Sequence, residues 1–133
     1  MRGLFHVRKE NMARNRASAK AAGSRFERQV ADYLAENVDD RIDRKVKTGS
    51  RDEGDIGGLR HMGQKVCVEV KNTSRINLGV WANEVELQRG HYDAGAGLIV
   101  HKRHGKGQPG DQWVTLTLAD FVALITGEPK ELD

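Results

Sequence analysis

The chain has 133 residues, 38% of them hydrophobic, a net charge of +3 and a single cysteine. That length supports one compact core but not two, and no apolar run reaches the ~18 residues of a membrane span. One cysteine excludes an internal disulfide, and no CxxC or Cys/His spacing offers a zinc site. A reducing cytoplasm is the expected location, or the host-cell cytoplasm if the chain is phage-encoded, with Cys67 as a small packing residue.

Charge is unevenly spread. Residues 1–28 carry eight Lys and Arg against Glu10 and Glu27, a local balance of +6, while the remainder sums to −3. The expected organisation is a basic N-terminal arm over 1–22, a folded body over 23–127 and a frayed tail over 128–133. The opening MRGLFHVRKENMARNR lacks the apolar centre and small-residue cleavage site of a secretory signal. An arm bearing Arg8, Lys9, Arg14, Arg16 and Lys20, with Arg25 just beyond, fits a polyanion such as DNA; the alternative is a solvated, solubilising tail. Its alanine-rich part either forms a helix on a partner or frays, and Gly23 is expected to break the run.

The body opens with a helix over 24–38, in which Phe26, Val30, Tyr33/Leu34 and Val38 recur at helical spacing. Ser24 is placed as N-cap, with Glu27 completing a capping box. RIDRKVKT, 41–48, alternates as a strand. DIGGLR is a second strand and KVCVEVK a third, the latter with Val66, Val68 and Val70 on one face and Cys67, Glu69 and Lys71 on the other. Between them His61–Met62–Gly63 reads as a three-residue hairpin loop. That loop pairs Arg60 with Gln64, and counting back opposes Gly57 to Cys67 and Asp55 to Glu69. Opposed carboxylates share a face ~5 Å apart, with Lys71 two residues along. A helix over 79–94 follows, then the apolar strand GLIVHK, the basic loop RHGKGQPG, the strand QWVTLTL and a last helix, LADFVALIT. That helix is capped by Thr117 with Asp120 and closed by Gly127. The fold class is thus α/β (α+β) in the order αβββαββα, a central mixed sheet flanked by helices.

Two carboxylates that close repel unless a cation or proton lies between them. A divalent ion with oxygen ligands resolves this, and Mg²⁺ takes one or two carboxylates and keeps several waters. A lysine at the edge of such a site can hold an attacking water and balance charge on a phosphate. Glu-x-Lys on a polar strand face is also the pattern of a solvated ion pair, and Glu27 taken alone is a capping residue.

GDI at 54–56 followed by VEVK at 68–71 resembles the signature of the PD-(D/E)xK nuclease superfamily, with glycine where the signature has proline. FERQVADYL, with Glu27, resembles that superfamily's extra helical acid. RKVKTGS…GDI is similar to the Holliday junction resolvase-like branch of archaeal and phage type, Arg44 and Ser50 being the matching positions. QRGHY resembles a Gln-x-x-x-Tyr element, through Gln88 and Tyr92.

The resemblance spans about residues 23–102 and implies a restriction-endonuclease-like core. Asp55 and Glu69, with the Val70 carbonyl, would hold Mg²⁺ (or Mn²⁺). Lys71 would position the water, and Glu27 would complete the metal shell. Ser50, Gln88 and Tyr92 would support the site. The expected function is a metal-dependent, structure-specific DNA endonuclease acting as a homodimer on branched DNA, above all a Holliday junction resolvase nicking four-way junctions symmetrically. A nicking or restriction-like duplex endonuclease and a non-catalytic nucleic-acid-binding module are the alternatives. Arg44, Lys47, Arg51, Lys102, Arg103 and Lys106 join the arm in the expected phosphate-contacting set. His6, His61, His101 and His104 are expected in loop and phosphate-adjacent contacts.

Overall fold

The computed structural model describes residues 2–47 and 49–131, with side chains from Lys9 onward; those of His6 and Arg8 lie outside the described residues. These residues form a mixed α/β fold of three α-helices and six strands. The order is α1 (Arg2–Asn37), β1 (Asp43–Arg44), β2 (Ile56–Gly57), β3 (Arg60–His61), β4 (Gln64–Lys71), α2 (Leu78–Tyr92), β5 (Ala96–His101), β6 (Trp113–Thr115) and α3 (Leu118–Thr126). Strands run β1-β2-β4-β5-β6 across the sheet, with β3 paired to β4 off this path. Only β4 and β5 are parallel, and α2 is their crossover. No helix of the described residues is long and apolar enough to cross a membrane.

Alternation along β4 and β5 divides the core into two layers. Val66, Val68, Leu98 and Val100 meet Phe26, Val30 and Ala31 of α1, with Ile42 and Ile56. On the opposite face Cys67 and Ile99 meet Trp81 and Val85 of α2. Cys67 is fully buried, and burial pushes its thiol up to about 12, so it packs as a neutral group.

Four local expectations are corrected. First, α1 is one continuous helix through Gly23, so Ser24 is not an N-cap and Glu27 has no capping box. A glycine inside a helix costs about 1 kcal/mol relative to alanine. Ending one helix and nucleating another within a few residues costs more. Ser24 instead accepts a hydrogen bond from Arg44 Nη2 at 3.3 Å. Every residue from Lys9 to Ala21 is exposed, so this half of α1 is a projecting basic rod.

Second, β1 is two residues long rather than eight, because its apolar alternation stops at Ile42; Val46 is 84% exposed. Third, the β3–β4 hairpin has a two-residue turn, Met62 and Gly63, both with positive φ (52° and 79°), which pairs His61 with Gln64 and Arg60 with Lys65. That is one step out of the expected register. Gly58 then takes up the extra residue at φ +89°, where a Cβ would meet Arg41 O at 2.7 Å. Beyond this bulge Ile56 opposes Val68, the register expected for Asp55 and Glu69. The bulge also divides the expected second strand into β2 and β3, so the order is αββββαββα.

Fourth, the tail is not frayed as far as Glu131. Lys130 N–H donates to Gly95 O at 2.8 Å, and its ammonium reaches Glu86 (2.8 Å) and Asp120 (3.3 Å). Buried Arg89 of α2 holds the carbonyls of Ala94 and Lys130 at 3.0 and 3.1 Å.

Candidate functional site

Asp55 is placed by the residue before it. Gly54 has φ +96°, and a Cβ there would lie 3.0 Å from Val68 O and 3.1 Å from Cys67 Sγ. Glycine therefore lets the chain lie against β4, and Asp55 N–H donates to Val68 O at 2.9 Å. The side chain then extends the ladder: Asp55 Oδ2 accepts the Val70 N–H at 2.8 Å. The Val70 carbonyl leaves β4 from the same edge as its N–H, the edge that faces β2.

Asp55 and Glu69 are 4% and 5% exposed, and their carboxyls are within hydrogen-bonding reach of each other. Burial, then Asp55 as hydrogen-bond partner and as charge, push Glu69 up to about 8. Burial acts the same way on Asp55, but hydrogen bonds from Glu69, Lys47 and the Val70 amide outweigh it and hold that carboxyl below its ordinary value. The shared site thus drives the two carboxyls apart in acidity, Glu69 up and Asp55 down.

Two lysines attend the pair. Lys47, assigned above to phosphate contact, places Nζ 2.6 Å from Asp55 Oδ1. Lys71 stands on the strand face expected for it, but its ammonium donates to Glu84 Oε2 of α2 at 2.7 Å. Glu27 joins from α1, where burial and then the charge of Asp55 raise its carboxyl while Lys47 and Arg44 pull it down. Arg44 Nε lies 3.7 Å from Glu27 Oε1.

On the α2 side, Gln88 is 4% exposed, and its Nε2 donates both to Glu69 Oε2 and to Asp52 Oδ2 (2.9 Å). Its Oε1 is buried with no partner. Asp52 and Glu84 were missed by the sequence reading. Asp52 had a signal, since an aspartate two residues before a glycine can bond the backbone two residues on, and Asp52 Oδ1 accepts the Gly54 N–H at 3.0 Å. Glu84 had none, because its contact depends on how α2 crosses β4.

Other expected residues are placed differently. The Tyr92 ring lies under the Lys45 ammonium, 3.2 Å from Nζ to centroid, and anchors the chain after β1. Ser50 is exposed in the β1–β2 loop, and no described contact links it to the cluster. His101 is buried against Trp81 and bonds Thr115 Oγ1 at 2.7 Å, so it is a core residue rather than a phosphate contact. His104 caps Thr73 O at 2.8 Å.

Among the expected phosphate contacts, Lys9, Arg14, Arg16, Lys20 and Arg25 are exposed along α1. Arg51 is exposed in the loop before Asp55. Arg103 stacks on Trp113 at 4.6 Å, and the Lys102 ammonium closes its own loop on the Lys106 carbonyl. A groove of about 300 Å³ between Arg25 and Gln29 of α1 and Asn72 and Lys102 joins the rod to this loop.

Among the described residues no group of three or more His, Cys, Asp or Glu side chains converges as a metal-holding set. The donor chemistry of the smaller set still suits a hard cation. Two buried carboxyls within reach of each other, with a strand carbonyl on the same edge of β4, are the all-oxygen ligands that Mg²⁺ takes alongside water. No protein-family model matches the chain, and neither a curated protein nor a solved structure does so significantly.

Proposed function

We propose that the chain is a metal-dependent DNA endonuclease of PD-(D/E)xK type, with a restriction-endonuclease-like core, acting on branched DNA as a Holliday junction resolvase. The observation that carries this reading is the buried contact between Asp55 and Glu69. Burying two carboxyls against each other is costly, and a structural role alone would be served as well by a neutral pair. Such contacts concentrate at sites that take up a proton or a cation.

In this reading Asp55, Glu69 and the Val70 carbonyl would hold Mg²⁺ or Mn²⁺, and Glu27, whose carboxyl feels the charge of Asp55, would act through water. The bound ion supplies Lewis acidity at the scissile phosphate and a more acidic water. Lys71 orients the water at the edge of the site, and Gln88 fixes the Glu69 carboxylate. The basic rod of α1, the groove beside Arg25 and the Lys102–Lys106 loop grip the phosphates, which set affinity without reading base sequence.

The homodimer has separate support. On α3, Leu118, Phe121, Val122 and Ile125 follow at i, i+3, i+4 and i+7 and are 46–77% exposed. This apolar stripe faces away from the core, as a helix does when a second subunit covers it. A cytoplasmic location, in the cell or in a phage host, completes the reading and accords with the free Cys67 thiol.

The test is incubation with labelled four-way junction, duplex and single strand, in Mg²⁺ or in EDTA. Symmetric nicks on the junction alone are expected, with losses on the order of 100-fold or more for Asp55→Asn and Glu69→Gln and junction binding retained. Duplex cutting would select the restriction-like alternative. Binding with no cleavage in any metal would select the non-catalytic module.

A further inference from the structure

We infer that Lys47 is the resident cation of the carboxylate cluster and yields its place to the divalent ion, so that this lysine sets how tightly the chain binds metal. The inference rests on the reading of Asp55 and Glu69 as metal ligands.

The position of the ammonium is the first ground. It lies 2.6 Å from Asp55 Oδ1, and Asp55 is almost fully buried. Its charge also acts on Glu27 and Glu69. One ammonium therefore sits on Asp55 and also feels the charges of Glu27 and Glu69. Lys71, the lysine of the nuclease-like motif, is engaged by Glu84 instead.

The freedom of Lys47 is the second ground. Its side chain is 62% exposed, so the head reaches a buried oxygen while the stem stays in water. Leaving Asp55 would expose little new apolar surface. Among the described residues the backbone there is lightly held as well. β1 ends at Arg44, one further bond joins Lys45 N–H to Asp55 O at 2.9 Å, and Val46 is solvent-exposed. Gly49, with φ +81°, follows two residues on.

The third ground is competition for one oxygen. A hard divalent ion binds a carboxylate oxygen at ~2.1 Å. With an ammonium already on Asp55 Oδ1, the two cations would be only a few ångströms apart in a poorly solvated place, where like charges repel strongly. One of them must leave. The divalent ion answers the Asp55–Glu69 pair with twice the charge, and the exposed Lys47 side chain has a free path to solvent.

The test is a calorimetric Mn²⁺ titration of the full chain without DNA, beside Lys47→Met, Lys47→Arg and Arg51→Met. Arg51→Met removes an exposed charge from the same loop without touching Asp55. Lys47→Met is expected to bind Mn²⁺ about tenfold more tightly than wild type, the size of one lost cation–cation repulsion near a partly buried site. Lys47→Arg should bind no more tightly than wild type, and Arg51→Met should stay within about twofold because its charge is solvated. A second readout is melting temperature. Lys47→Met should melt lower than wild type without metal, since the carboxyls lose their counter-ion, and should gain more from Mn²⁺. Equal or weaker Mn²⁺ binding by Lys47→Met, with wild type binding normally, overturns the role of Lys47 alone. So does Lys47→Arg binding as tightly as Lys47→Met. Absence of Mn²⁺ binding in all four proteins overturns both this inference and the metal reading beneath it.

Discussion

Gln88 holds Glu69 from across the α2–β4 interface: one side-chain N–H₂ group donates to Glu69 Oε2 and to Asp52 Oδ2, while Oε1 of the same amide is left without a partner. The amide thus clamps the carboxylate that β4 presents and ties it to the loop carrying Asp55. Gln88→Leu keeps approximate volume but strips Glu69 and Asp52 of their donor. A buried acceptor left unsatisfied costs about 1–3 kcal/mol, so a loss of unfolding free energy of that size is expected. Cleavage should fall further than stability accounts for, because Glu69 loses its orientation. Gln88→Glu separates the effects: it keeps the shape but adds a third negative charge. If Gln88→Leu cuts junctions at the wild-type rate, Gln88 is a packing residue only.

Glu69 gives a pH dependence whose sign can be worked out. Its carboxyl is raised from 4.5 to about 8, first by burial and then by Asp55. Between those values the folded chain holds a proton that the unfolded chain has released. Stability from this group is therefore whole below 4.5 and lost as pH rises through about 8. In denaturant unfolding without metal, wild type should lose stability between mildly acidic and mildly alkaline buffer, and Glu69→Gln should lose less. Mg²⁺ should restore wild type most at the alkaline end, where the carboxylate is free to bind it. Equal pH slopes in the two proteins would refute the raised carboxyl.

How far the site was legible follows from where its residues lie. Asp55, Glu69 and Lys71 could be placed on one face because strand alternation and a hairpin fix relative position within a short stretch. Even there two local errors cancelled: the turn is one residue tighter than read, and the Gly58 bulge restores the register. Glycine permits a bulge but does not announce it. Contacts between distant elements were not legible in the same way. The Lys71–Glu84 and Lys47–Asp55 pairs depend on helix crossing and on where an edge strand ends, and neither leaves a periodic trace. Gln88 was read from motif resemblance, and its link to Asp52 was not foreseen. The continuous α1 shows the opposite failure. A good local stop signal, Gly23 followed by Ser24 and Glu27, was overridden because strong helix formers lie on both sides of it.

The Lys71–Glu84 contact sets a test of the motif lysine. The pair is 22% and 41% exposed, so as a stabilising ion pair it contributes only ~0–1 kcal/mol. Lys71→Ala should leave the melting temperature nearly unchanged and lower cleavage on the order of 100-fold. Glu84→Gln, which removes the partner and keeps the lysine, should retain most of the activity. Glu84 is then a parking place for the ammonium rather than part of the chemistry. Equal loss in both variants would instead make the pair one functional unit, and Lys71→Ala at wild-type rate would remove the lysine from the mechanism.

The projecting half of α1 sets the last test. Residues 9–21 are all exposed, so the rod contributes no buried side chain to the core over that stretch. Nothing in the body then explains its charge: Lys9, Arg14, Arg16 and Lys20 stand against Glu10 alone. A helix polar on every side gains its stability from what it meets, and duplex phosphates match this charge. Each phosphate neutralised contributes about −0.9 to the slope of log K against log salt. Deleting residues 1–20 should therefore flatten that slope by several units and weaken binding to junction, duplex and single strand alike. Melting temperature should change little, because the first buried side chain of α1 among the described residues is Phe26. Cleavage at saturating junction should persist, since Glu27, Asp55, Glu69 and Lys71 all remain. The measurement is a salt titration of junction affinity for full and shortened chains, with sedimentation beside it. An unchanged slope would show that the rod does not meet DNA, and a shift from dimer to monomer on deletion would assign its charge to assembly.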